Sequence, residues 1–336
     1  MRMAEARGID IHTHFVPSAF PAYAGAGADV PWPSMRLHDD CGHADVMILG
    51  KNYRTVPSSS WDAAERLAEM DASGLRHQVV SPMPELLSYW LPLADATLLL
   101  RHVNEEIAAL CAEHPERFSG LGGVPLQDVE AAMGELDRVR ALPGMHGVEI
   151  ATHVEDVSIG DPRFEPFFAA AEALGVPIFV HGLRPAGRNR LVGPVSEQVV
   201  AFPGDVALAA ASMISGGTIV RHPELRIAFS HGGGGFSITL PRMEQGWHTT
   251  PAMQEAFPEP PSVYARRMYY DSAVYKTSTL RYVIETFGLE RVMIGTDYPF
   301  GIMDRDPIGT VDALALDDAS AELLFEGNAR RFLGSA

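Results

Sequence analysis

One alternation runs the length of the chain and constrains its fold more than any other feature: a short apolar or β-branched run, then a helix-like segment. Candidate strands read at 8–14 (GIDIHTH), 77–82 (HQVVSP), 118–124 (FSGLGGV), 145–151 (MHGVEIA), 176–182 (VPIFVHG), 225–232 (LRIAFSHG), 268–272 (MYYDS) and 291–298 (RVMIGTDY). Between them lie helical patterns with Gly or Pro as punctuation: 61–74, 94–115, 128–142, 166–175, 203–217 and, closing the chain, 319–334. Strands that alternate with helices form parallel βαβ units. Eight such units close a (β/α)8 TIM barrel, and 336 residues suit a single barrel domain spanning 1–336. A doubly wound open sheet is the alternative. It usually has fewer strands and a glycine-rich phosphate turn after the first, where this chain reads His-Thr-His. The stretch 15–60 is rich in Pro, Gly, Asp and Ser and has no long period. It reads as an insertion in the first βα loop, a lid over the barrel mouth.

Composition narrows the partners. The formal net charge is −17, which argues against nucleic acid or an anionic membrane surface. Cys41 and Cys111 are the two cysteines, far apart in sequence, so no disulfide framework or zinc ribbon is expected and a reducing cytoplasm fits. The opening MRMAEARG lacks the apolar core of a signal peptide. No stretch approaches 18 uncharged apolar residues, so no membrane span is expected.

Active sites of such barrels sit at the C-terminal ends of the strands. There the chain repeatedly places a polar residue after an apolar run. His12 and His14 end the first candidate strand, His181 the fifth, His231 the sixth and Asp297 the eighth. Residues i and i+2 of a strand share a face, so His12 and His14 aim into one space while Thr13 turns away. Four histidines and an aspartate at one end of a barrel point to a metal site. HGGGG (231–235) is glycine-rich but lacks the Lys-Ser/Thr of a phosphate loop. Its glycines are expected to let the backbone pass close to substrate and to start the next helix.

The ordered set of His-x-His, two further histidines and an aspartate resembles the amidohydrolase superfamily. Within it, the segments NYRTVPSSSWDAAERLAEMDASG, VSPMPELLSYW, HPERFSGLGGVPLQD, GVEIATHV, SMISGG, HPELRIAFSHGGGGF and GTDYPF resemble a metal-dependent decarboxylase branch, that of 2-amino-3-carboxymuconate-6-semialdehyde decarboxylase and its nonhydrolytic relatives. The resemblance runs along nearly the whole chain. It implies that His12, His14, His181 and Asp297 hold one divalent ion; three imidazoles and a carboxylate suit zinc, and manganese or iron is compatible with the same donors. It implies that His231 is the catalytic histidine, a general acid/base beside the metal, with Asp297 completing the catalytic pair. Arg54, in YRTV, matches a carboxylate-binding arginine. Arg242, in LPRMEQG, matches one donated across a dimer. Guanidinium forks bind carboxylates in bidentate fashion, so both fit a small-molecule carboxylate substrate and a homodimer.

Two features depart from the branch. After His181 the chain reads HGLRPAGRNRLVGP, without the aromatic residue of the relatives, in the segment that lines their substrate mouth. Glu149, on the fourth candidate strand, stands where binuclear members carry a bridging acid. It reads either as a ligand to a second metal or as an acceptor behind a ligand histidine. The implied function is nonoxidative decarboxylation of an unsaturated or aromatic carboxylic acid. Two alternatives stay open: a metal-dependent hydrolase or hydratase on the same scaffold, and a metal-binding protein without catalysis.

Overall fold

In the computed structural model, which describes residues 6–25, 29–38 and 42–335, the eight candidate strands form one parallel sheet. The strands of the chain are β1 (Ile9–Phe15), β2 (Pro33–Leu37), β3 (His43–Ile48), β4 (Lys51–Pro57), β5 (His77–Pro82), β6 (Phe118–Gly123), β7 (Met145–Ala151), the short pair β8 (His153–Val154) and β9 (Val157–Ser158), β10 (Ile178–His181), β11 (Ile227–Phe229), β12 (Tyr269–Asp271) and β13 (Val292–Met293). The barrel order is β1-β5-β6-β7-β10-β11-β12-β13. Beyond β13 the chain continues along β1: Ile11 N donates to Ile294 O at 2.9 Å, Asp297 N to His12 O at 2.9 Å and His14 N to Tyr298 O at 2.7 Å. These bonds bring the last strand back to the first and make the sheet a TIM barrel.

The apolar runs form buried strands because both faces of a barrel strand are covered. Outward residues such as Val80, Val148 and Val180 pack under the helices. Inward ones, among them Ile9, Ile11, Val79, Leu121, Phe179 and Met293, fill the lumen. The C-terminal helix Asn328–Leu333 plugs the lumen from below, with the Phe332 ring 5.5 Å from that of Tyr269. Burying an aromatic ring of this kind stabilises by about 1.5–3 kcal/mol.

β1 contains a device that period-two reasoning does not show. Asp10 pairs with Gln78 but Thr13 pairs with Val80, so three steps on β1 match two on β5. This bulge switches the phase of the strand. Ile9 and Ile11 face the lumen before it, and His12 and His14 face the same interior after it. Asp10 steadies the bulge: it accepts from His12 N at 3.1 Å, Thr296 N at 3.1 Å and Thr296 Oγ1 at 2.6 Å. Burial raises the Asp10 carboxyl to about 7 against these bonds. From the helix Ala63–Ser73, the buried Arg66 donates to the His14 carbonyl and, at 3.1 Å, to Ser59 O.

Three local readings change. Within 15–60, β2, β3 and β4 form a three-stranded antiparallel sheet, with Leu49 and Gly50 at positive φ in the β3–β4 turn. A two-residue turn of this hand suits the right-handed twist of its strands. The helix expected to start at Pro203 starts at Glu197, with Pro203 inside it. By length and composition this helix, Glu197–Ser215, could also cross a membrane, contrary to the expectation of no span. Its Phe202, Val206, Ala209 and Met213 are buried, and Asp205 is tied to Thr152. The closing helix is broken by a π-turn at Leu323–Gly327. Cys111 is free and buried, and Cys41 lies outside the described residues.

Candidate active site

The upper end of the barrel brings His12, His14, His181 and Asp297 together, one ligand atom from each lying within 4.8 Å of the others. All four are buried. The hydrogen bonds fix what each ring offers. His12 Nδ1 donates to Asp271 Oδ2 at 2.6 Å, His14 Nδ1 to Pro82 O at 3.1 Å and His181 Nδ1 to Gly182 O at 2.8 Å. A neutral imidazole that donates through Nδ1 carries a lone pair on Nε2. The Nε2 atoms of His12 and His14 are 3.1 Å apart, and that of His181 is buried with no hydrogen-bond partner among the described residues. Lone pairs this close repel unless a cation lies between them, so the donor set fits a divalent metal ion.

The charges agree. Burial, then the neighbouring imidazoles, hold the His181 pKa well below its usual value, keeping the ring a neutral donor. At Asp297 burial opposes ionisation, but the surrounding histidines, His14, His231 and His12, outweigh it, and the carboxyl sits well below its usual range. Asp297 Oδ1 lies 3.2 Å from His14 Nε2 and 3.6 Å from His12 Nε2. Its φ of 65° turns the carboxylate inward at the strand end, a left-handed conformation that Asp tolerates better than most residues.

His231 stands beside the cluster, outside the four-donor set. Its Nε2 is 3.8 Å from Asp297 Oδ2, its Nδ1 is 3.1 Å from Ser230 Oγ, and its ring centroid is 5.0 Å from that of His181. His231 and the next three glycines all have positive φ. The glycines pack closely on neighbouring elements: a Cβ on Gly234 would lie 1.8 Å from Pro203 O, and one on Gly233 2.7 Å from the Tyr270 ring. They do lead into the helix Phe236–Thr249.

Glu149 lies inside the barrel on β7, in register with Phe179 of β10. Its Oε2 is 3.9 Å from His14 Nδ1 and it is absent from the four-donor cluster. Burial raises its carboxyl to about 8. Arg54 of β4 reaches a small cavity, about 20 Å³, over the cluster, shared with Tyr53, His181, Phe202, Asp297 and Phe300. Its guanidinium lies 4.2 Å above the Phe300 ring, which stacks on His14 at 5.1 Å. Arg242, on the helix Phe236–Thr249, is exposed and does not line this cavity of its own chain.

Sequence reasoning missed Asp271. It ends β12 as Asp297 follows β13, so the same strand-end rule would have found it. Asp271 is fully buried and accepts from His12 Nδ1, from Gly232 N at 2.7 Å and from Ala273 N at 3.1 Å. Burial works to raise its pKa, but His12, His231 and the Gly232 N–H lower it overall. It fixes the tautomer and aim of His12. Asp271→Asn should therefore weaken metal binding about 10- to 100-fold, read by competition against a chelating dye. Unchanged affinity would reduce Asp271 to a packing role.

The amidohydrolase family model matches residues 9–335. The chain belongs to the amidohydrolase family. Among relatives of this amidohydrolase, 2-amino-3-carboxymuconate-6-semialdehyde decarboxylase of Dictyostelium discoideum is 33% identical over 328 residues, covering 97% of this chain and 91% of that one. The solved 5-carboxyvanillate decarboxylase of Sphingomonas paucimobilis superposes with a TM-score of 0.78 at 25% identity, covering 98% and 99% of the two chains. A dihydroxybenzoic acid decarboxylase of Polaromonas sp. JS666, solved with bound manganese and the inhibitor 2-nitroresorcinol, has a TM-score of 0.71 at 23% identity, covering 80% and 85%.

Proposed function

We infer that this amidohydrolase is a metal-dependent carboxy-lyase that removes carbon dioxide, without oxidation, from an unsaturated or aromatic carboxylic acid. The observation that carries this reading is one pocket lined by Arg54 together with His181 and Asp297 of the four-donor cluster, in a chain whose relatives are decarboxylases. The hydrolytic alternative leaned on Glu149 as the bridge to a second ion. Glu149 stands outside the cluster, and no observation favours that alternative.

His12, His14, His181 and Asp297 would hold one ion. Zinc suits the set by ligand type, and manganese, bound in the Polaromonas relative, is its competitor. When bound, the ion supplies positive charge that orients the substrate's oxygens and offsets the charge that develops as carbon dioxide leaves. Decarboxylation exchanges a carbon–carboxylate bond for a carbon–hydrogen bond. The electron pair of the breaking bond stays on the carbon, so no oxidant is needed, but a proton must arrive there. His231, with Nε2 facing Asp297 and Nδ1 near Ser230, holds and moves that proton. Arg54 grips a substrate carboxylate, and Phe300 orders both the guanidinium and His14. The test is to incubate the enzyme, loaded in turn with zinc and manganese, with carboxymuconate, hydroxybenzoate and ester panels. Carbon dioxide with a product lighter by one carboxyl group is expected. Ester cleavage without carbon dioxide would replace this reading with hydrolysis.

The same reading includes a homodimer in which Arg242 serves the neighbour's pocket. It is supported by the exposed apolar surface around Arg242. Ile238, one turn earlier on the same helix face, is 69% exposed, and Leu208 on the adjoining helix is also 69% exposed. Mixing Arg242→Ala chains with Asp297→Ala chains should restore one competent site per mixed dimer, combining intact ligands from one chain with the intact arginine of the other. Activity equal to the sum of the separate variants, after proven chain exchange, would sink the shared site.

A further inference from the structure

The segment that departs from the relatives' pattern builds an ion pair against the pocket wall. Arg184, in the loop after β10, has a φ of 46° and donates from Nε to Glu85 Oε1 at 3.0 Å and Oε2 at 3.3 Å, with Nη2 also on Oε1. Its guanidinium lies 3.3 Å over the Trp90 ring. Glu85 follows β5, at the active end of the barrel. Its side chain is 0% exposed while that of Arg184 is 33% exposed, and Glu85 lines the same cavity as Arg54, His181 and Asp297.

A purely structural pair has little reason to stand here. Burying a carboxylate costs more than one exposed partner returns, and hydrophobic residues would fill the wall as well. The arrangement gives the cavity opposite charges: Arg54, with no carboxylate in ion-pair range among the described residues, and Glu85. A carboxylate offers about four acceptor positions. Arg184 crowds Oε1 and makes one longer contact to Oε2, and Tyr53 of the same cavity also bonds the carboxylate, so these contacts leave part of its acceptor capacity to the cavity.

We propose that Glu85 is a specificity-determining residue of this pocket: it accepts a hydrogen bond from an O–H or N–H group on the substrate, away from the carboxylate that Arg54 holds, and rejects a second carboxylate there. Arg184 is a positioning residue that aims Glu85 and moderates its charge. This rests on the decarboxylase reading for the site, but its test does not need turnover. A site built to pair with a donor discriminates strongly against ligands that lack one, because its buried acceptor is then left unsatisfied.

The probes are benzoate, 3-hydroxybenzoate, 3-aminobenzoate and isophthalate, titrated calorimetrically into manganese-loaded enzyme. The hydroxyl and amino compounds should bind about 10- to 100-fold more tightly than benzoate, as a hydrogen bond to a charged acceptor allows, and isophthalate most weakly. The nearly isosteric Glu85→Gln should shrink the amino and hydroxyl preference and strengthen isophthalate. Arg184→Ala, which leaves the Glu85 charge unpaired, should shift the order further toward 3-aminobenzoate. Wild-type enzyme that binds all four alike, or none, overturns the proposal. So do variants that change all four affinities by one common factor, which is the signature of a merely structural pair. Carbon dioxide release from the carboxymuconate and hydroxybenzoate panel is followed separately. Discrimination without release would leave Glu85 its role and remove the decarboxylase reading.

Discussion

Asp297→Ala should abolish stoichiometric metal binding and cut turnover about a thousandfold or more. A bound divalent ion contributes several kcal/mol to stabilising developing charge, and about 1.36 kcal/mol corresponds to each decade of rate. Asp297 is the anion of the four-donor set, and its Oδ1 lies close to both His12 and His14. Without it, three neutral imidazoles would face a dication alone. The substitution has a second effect to separate. Asp297 sits at a φ of 65°, where alanine is strained by about 1–2 kcal/mol and asparagine is not. Asp297→Asn therefore isolates the charge: it should also lose metal while unfolding nearer the wild-type temperature. Metal analysis of dialysed protein together with initial rates reads both variants. An alanine variant with full metal content and normal turnover would remove Asp297 from the ligand set.

Why this carboxylate was visible in sequence, while other parts of the site were not, follows from the range of each signal. A barrel strand is buried on both faces, so it appears as an apolar run, and a polar residue at its end stands out. That made His181, His231 and Asp297 legible, along with the eight strands themselves. The pair His12 and His14 was legible as a shared face, but the bulge that turns this face inward was not. It depends on Asp10 bonding Thr296, 286 residues away. β2, β3 and β4 were missed because a small half-exposed sheet carries a weak alternation; Ala44 and Val46 are buried while the residues of β2 and β4 are mostly exposed or half-buried. The Gly50 turn was the one local signal there. Glu85 and Arg184 are 99 residues apart and meet only because β5 and β10 end on the same rim. Nothing local to either marks the pair. Asp271 differs from these cases: it ends an apolar strand as Asp297 follows one, so its signal is local.

His231→Asn should keep close to one metal ion per chain and lose turnover by about 10²- to 10⁴-fold, the usual contribution of a positioned acid/base. The two halves of this expectation rest on different distances. Metal is retained because His231 is outside the set of four converging atoms; its Nε2 approaches Asp297 at 3.8 Å, on Oδ2, while Oδ1 faces His12 and His14. Turnover is lost because no other described imidazole at this rim combines a ring clear of the ligand set with a position beside Asp297. Asparagine is the replacement of choice. His231 has a φ of 55° and leads into a run of left-handed glycines packed against Tyr270 and Pro203, so an alanine there would disturb the backbone that carries the site. Metal content and turnover are measured on the same preparation, because the ratio of the two losses decides the assignment. If metal and activity fall together, His231 is a ligand and the four-donor set is incomplete. If both are retained, the proton is handled elsewhere, and Asp297 is the group left to carry it.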